Sequence, residues 1–93
     1  MKHLLSTLAL KELEEGKAYY NLQKAALGDE FEETIRNSIE EIFKSPYLYP
    51  VIAAPAHRKV ISRFPYNIFY RVDDDAIAIL SIAHQHRKPF YTI

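Results

Sequence analysis

Residues 58–91, RKVISRFPYNIFYRVDDDAIAILSIAHQHRKPFY, decide how the rest of the chain is read. Tyr66, Ile68, Tyr70 and Val72 alternate with Asn67, Phe69 and Arg71. That is the period of two a strand imposes, because successive side chains leave opposite faces of the pleat. Asp73, Asp74 and Asp75 interrupt the alternation with residues that favour turns, their side chains bonding nearby backbone. Ala76 to Ala83 is almost wholly apolar, the composition of a strand covered on both faces. The segment predicts a hairpin, with a further strand around Lys59 to Phe64 leading into it. Basic and imidazole side chains collect at the strand ends: Arg58, Lys59, Arg63, Arg71, His84, His86, Arg87 and Lys88.

Upstream the period changes. From Ser6, a plausible N-cap, to about Ala26, the residues Ala9, Leu13, Gly16, Tyr20 and Leu27 share one stripe at 100° per residue, so a first helix is predicted. Gly16 costs about 1 kcal/mol in a helix interior, and a close helix–helix approach explains keeping it. Gly28 is positioned to end this helix in the left-handed conformation. Asp29 then caps a second helix, with Glu32 completing a capping box. Phe31, Ile35, Ser38, Ile39 and Ile42 form its buried stripe. Glu32–Arg36, Arg36–Glu40 and Glu40–Lys44 line its outer face at i,i+4. Ser45-Pro46 stops it. The connection PYLYPVIAAPAH (46–57) has room for a short edge strand at Val51 to Ala53. The architecture predicted is α+β: a helical hairpin packed on one face of a mainly antiparallel sheet, the other face left for function.

Two segments, RFPYNIFYRVDDD (63–75) and ILSIAHQHRKPFY (79–91), resemble the C-terminal half of the RelE/ParE superfamily of bacterial toxins. The likeness is closer to ParE-type and plasmid-stabilisation members, which carry a similar Arg-Phe-Pro-Tyr strand and His-x-x-Arg-x-Pro ending. Here these are Arg63 to Tyr66, and His84, Arg87 and Pro89. Leu27-Gly28 is similar to the junction of the family's helical hairpin. The family's opening strand supports a strand at Lys2 to Leu5. The resemblance therefore covers nearly the whole chain and implies one RelE/ParE-like domain over residues 1–93.

Composition narrows the classes. The chain is 48% hydrophobic and 26% charged, which excludes disorder, and it has no cysteine for a disulfide or thiolate site. The opening MKHLLSTLALKEL is broken by Ser6, Thr7, Lys11 and Glu12 and reads as strand then helix rather than a signal peptide. No apolar run approaches the roughly 18 residues of a membrane span. A cytoplasmic location is expected. Residues 1–45 hold six Lys/Arg and nine Asp/Glu, net −3, and residues 46–93 hold six Lys/Arg and three Asp, net +3. An anionic partner would meet the sheet half.

RelE-type members of the superfamily cut messenger RNA on the ribosome. That chemistry needs a base for the ribose 2′-proton, cations for the phosphate and an acid for the leaving oxygen. Arg58, Lys59, Arg63 and Arg87 are candidates to hold phosphate, and His86 or Tyr91 to move a proton. As a nuclease, the chain would rely on His86, Arg87, Arg63 and Tyr91. The bland alternative, favoured here, is that Arg58, Lys59, Arg63, Arg71, His84, His86, Arg87 and Tyr91 contact a target protein or an antitoxin. The middle strand carries Tyr66, Asn67, Phe69 and Tyr70 where the RelE pattern is richer in cations. His57, His84 and His86 could in principle meet at a metal, but a structural role is expected, and neither metal nor cofactor is implied. The three aspartates lack EF-hand spacing and read as a solvated turn.

The resemblance implies the toxin of a bacterial type II toxin–antitoxin pair, similar to ParE. Its partners would be a cognate antitoxin and DNA gyrase, inhibited by contact rather than chemistry. The alternatives are a RelE-like endoribonuclease acting on ribosome-bound mRNA, and a degenerate module that binds antitoxin without toxicity.

Overall fold

The computed structural model of the protein describes residues 1–86. The elements run β1 (Lys2–Leu5), α1 (Thr7–Gln23), α2 (Leu27–Lys44), β2 (Val51–Ala53), β3 (Ala56–Val60), β4 (Tyr66–Val72) and β5 (Ala76–His84). The sheet order is β1-β5-β4-β3-β2. β1 lies parallel to β5, and the other neighbours are antiparallel. Asp73 to Asp75 make the β4–β5 turn, closed by the Asp73 N–H on the Ala76 carbonyl at 2.8 Å.

Both helices pack on one face of this sheet. Ala9 and Leu13 of α1 and Phe31, Ile35, Ile39 and Ile42 of α2 meet Ile68, Tyr70, Ile77, Ile79 and Ile82 in one core. The buried side of α2 is the predicted stripe, Ser38 included. At one end, Tyr20, Phe31, Phe64 and Tyr66 form an aromatic cluster with ring centroids 4.8–5.2 Å apart for the closest pairs, a separation that favours edge-to-face and tilted contacts. Gly16 sits against it: a Cβ there would lie 2.6 Å from the Phe31 ring, so the close approach of the helices explains the glycine.

The junction of the hairpin differs from expectation. α1 stops at Gln23, not near Ala26, and the left-handed residue is Ala26 with φ 67°, whereas Gly28 lies inside the first turn of α2. Gly28 is needed for space rather than for φ, since a Cβ would come 2.0 Å from the Lys17 carbonyl oxygen. Asp29 is not the cap either. Ala26 occupies that position without a side-chain acceptor, and Asn21 of α1 accepts the Gly28 N–H at 2.7 Å through Oδ1. A cap from a neighbouring helix leaves no local sequence signature.

Ser6 does cap α1, accepting the Ala9 N–H at 3.0 Å. The same residue ties β1 to β5: its N–H donates to the Ile79 carbonyl and its hydroxyl to the Leu80 carbonyl. Leu80 is the extra residue of a bulge, because Phe69 pairs with Ser81 and Tyr70 with Ile79. β3 begins three residues before the predicted Lys59 and ends at Val60. Arg63 therefore stands in the β3–β4 connection. The alternation of β4 holds in direction, yet Phe69 is 1% exposed, so the centre of the sheet is covered on the face away from the helices as well.

Candidate functional site

The described basic residues of the sheet half do not converge on one point, because strand geometry sends them to different faces. His57 and Lys59 of β3 pair with Tyr70 and Ile68 and point to the helices, so Arg58 between them points away. Lys59 is 8% exposed, and its ammonium donates to the Ser38 carbonyl at 3.3 Å and to the Glu41 carboxylate. That contact holds the Glu41 carboxyl below its ordinary value. The ring of Tyr49 adds a cation–π contact at 5.0 Å. Lys59 thus joins α2 to the sheet and turns no charge outward.

Arg58 is half-buried opposite Phe69, and its Nε has no hydrogen-bond partner among the described residues; Asn67 Oδ1 on the same face is likewise unpaired. Arg71, also on that face, is exposed and clamped to Asp73 by Nε at 3.0 and 3.1 Å. Arg63 donates to Glu30 at the start of α2 at 2.7 Å, and its guanidinium lies 5.4 Å from the Phe64 ring centre. Among the described residues of the sheet half, the two exposed arginines, Arg63 and Arg71, are each neutralised by a carboxylate. Such surface pairs contribute only about 0–1 kcal/mol and exchange partners readily.

His84 ends β5 and His86 follows in a turn. The His86 N–H donates to His84 Nδ1 at 3.1 Å, the rings are 5.3 Å apart, and Tyr66 stands edge-on to His84 at 5.3 Å. His57 lies apart from them: its Nδ1 bonds the Tyr49 carbonyl at 2.8 Å and its ring stacks on Tyr70. Among the described residues no group of three or more His, Cys, Asp or Glu could hold a metal ion. Arg87, Lys88 and Tyr91 lie outside the described residues.

Sequence reasoning missed Glu12. It falls beside the apolar stripe of α1 and is 8% exposed, with Oε1 accepting from Ser81 Oγ at 2.8 Å and from the Ile82 N–H at 2.9 Å. β1 ends opposite Ile79, so beyond it α1, not a strand, flanks this edge of β5. Glu12 supplies the acceptor a strand would have supplied. The only sequence signal is an acid bordering a helix's apolar stripe, which most solvated acids share.

A family model described as the ParE toxin of the type II toxin–antitoxin system parDE matches residues 4–89. Among solved structures, the chain is similar to one from the chromosomal ParDE system of P. aeruginosa, with a TM-score of 0.69 and 16% identity over 90% of this chain and 95% of that one. It is similar to the isolated E. coli RelE toxin, with a TM-score of 0.69 and 19% identity over 97% and 89% of the two chains. A chain of the intact E. coli RelBE toxin–antitoxin complex aligns with a TM-score of 0.70 and 19% identity over 92% and 98%. At these identities the likeness is one of fold. A search of curated proteins found no match.

Proposed function

The chain belongs to the ParE toxin family of type II toxin–antitoxin systems, and from that premise we propose that it arrests growth by gripping DNA gyrase through protein contact. A cognate antitoxin, bound in the cytoplasm, keeps it silent. Residues 1–93 act as one toxin domain, with no cofactor.

The observation that carries this reading is the fate of the cations. Lys59 is buried against Glu41, Arg63 is paired with Glu30 and Arg71 with Asp73. A ribonuclease would need several of them free and convergent on one phosphate, since phosphate contacts dominate RNA affinity and stabilise the transition state. The same residues suit a protein interface, where arginine and aromatic side chains anchor and surface ion pairs rearrange at small cost. Arg58, Arg63, Arg71, His84 and His86, with Arg87 and Tyr91 beyond the described segment, remain the contact candidates.

A RelE-like endoribonuclease is the second reading. It is favoured by a fold likeness to RelE equal to that for the ParDE chain and by the adjoining imidazoles of His84 and His86. Induction of the chain alone separates the two. The gyrase reading expects DNA replication to stop before translation, growth restored by the adjacent small gene, and no discrete mRNA ends in primer extension. Toxin-dependent mRNA cuts lost in His86→Ala would establish the nuclease instead. Normal growth at high levels of folded protein would leave a module that binds antitoxin and has lost toxicity.

A further inference from the structure

Among the described residues, the donors that tie Glu12 to the edge of β5 are neutral. Both of its hydrogen bonds to described residues fall on Oε1, and no Lys or Arg among the described residues forms an ion pair with it or with Glu15. Glu12 nonetheless lines a cavity of about 450 Å³ between α1 and the end of β5, and Glu15, three residues on and exposed, lines it too. The rest of the wall is mainly aromatic, from Tyr19, Tyr20 and Tyr66, with His84 at its end. Tyr19 and Tyr20 meet edge-on at 5.1 Å, and Tyr20 faces Tyr66 at 6.3 Å.

A carboxylate withdrawn from water is costly unless a charge of opposite sign joins its hydrogen bonds, and a second carboxylate beside it adds repulsion. A cation entering the cavity would relieve both, and the tyrosine faces would attract it through their quadrupoles. A guanidinium fits better than an ammonium. It is planar, more weakly hydrated, stacks on aromatic rings and meets a carboxylate with two parallel N–H donors. α1, which supplies Glu12 and Glu15 to the wall, belongs to the acidic half of the chain, where residues 1–45 carry six Lys/Arg against nine Asp/Glu, so a basic segment is drawn toward it.

We propose that this cavity receives an arginine side chain of a partner polypeptide, its guanidinium held by Glu12 and Glu15 between tyrosine walls. For the partner's identity the inference rests on the proposed toxin–antitoxin pairing: the arginine belongs to the antitoxin.

Two measurements test it. The first titrates isotope-labelled full-length chain with N-acetyl-arginine amide and with its uncharged citrulline counterpart, followed by NMR. Saturating shifts at Glu15, Tyr19 and His84 are expected with arginine, weaker with citrulline, and lost in Glu12→Gln/Glu15→Gln. Glutamine keeps the acceptor for Ser81 and Ile82, and a thermal melt checks that the variant is folded. No saturable shift, or equal response to both probes, overturns the proposal. The second measures antitoxin affinity by calorimetry. The double variant should bind about tenfold or more weakly, as expected when one side of a charge pair is lost. That loss should vanish against an antitoxin in which one particular arginine is replaced by alanine. Unchanged affinity in the double variant overturns the proposal. Arginine amide binding in a chain that binds no antitoxin would support the cavity's chemistry and contradict the functional reading instead.

Discussion

Tyr70 shows how one side chain's surroundings become a measurable pH dependence. It is fully buried, its hydroxyl donates to the Pro46 carbonyl at 2.6 Å, and burial pushes its pKa up to about 12, with neighbouring Tyr49 adding to the shift. A folded pKa above the unfolded value of about 10 means that the contribution is complete below pH 10 and is lost as pH rises toward 12. Urea melts should show stability falling across that alkaline window. Tyr70→Phe should remove the fall and lower neutral-pH stability by about 1–3 kcal/mol, because the Pro46 carbonyl loses its donor. An unchanged alkaline limb in the variant would contradict this assignment. Gly28→Ala should also destabilise, by about 1–3 kcal/mol or more, as an overpacked site does, because its Cβ would meet the Lys17 carbonyl oxygen at 2.0 Å. Placing the left-handed residue at Gly28 instead would have predicted harm from the backbone angle. The contact that matters, from one helix to the next, is not written in neighbouring residues, and neither is the acceptor that Asn21 offers.

At the scale of elements, legibility followed the source of each signal. The stripe of α2 and the alternation of β4 come from burial on one side, which repeats along the sequence with the element's own period, and both were readable. The ends of α1 and β3, the bulge at Leu80 and the role of Glu12 come from contacts between distant segments, and they were not. Ile39→Ala should cost about 2–5 kcal/mol, since it leaves a cavity beneath α2, while exposed Glu33→Ala should change stability by about 0.5 kcal/mol or less. Equal effects in chemical denaturation would mean that α2 is phased otherwise. The ion pairs of α2 add an acid limb. Lys17 and Arg36 hold the Glu32 carboxyl below its ordinary value, and Lys59 does the same for Glu41. Depressed carboxyl pKa values give stability that is present above the unfolded value and is lost as pH falls through the folded one. The denaturation midpoint should therefore drop below about pH 4, and less steeply in Glu32→Gln/Glu41→Gln.

For the whole molecule, the fold explains why the described cations of the basic half do not gather in one site. β3 alternates Lys59 inward and Arg58 outward, and the exposed arginines at the ends of β4 find carboxylates on α2 and in the β4–β5 turn. Among the described residues, charge that looked concentrated along the chain is dispersed in space. A partner that binds only the folded chain raises its stability by RT ln(1 + [L]/Kd), about 2.7 kcal/mol at a hundredfold excess over Kd. Saturating antitoxin should accordingly raise the melting midpoint, and an unmoved midpoint would count against the pairing. The proposed action of this toxin is on gyrase, by contact. It is tested most directly by the rate at which DNA gyrase supercoils relaxed plasmid in the presence of the purified chain. A concentration-dependent loss of supercoiling that antitoxin reverses is expected. Supercoiling that proceeds unchanged at every concentration of folded, growth-arresting protein would contradict it.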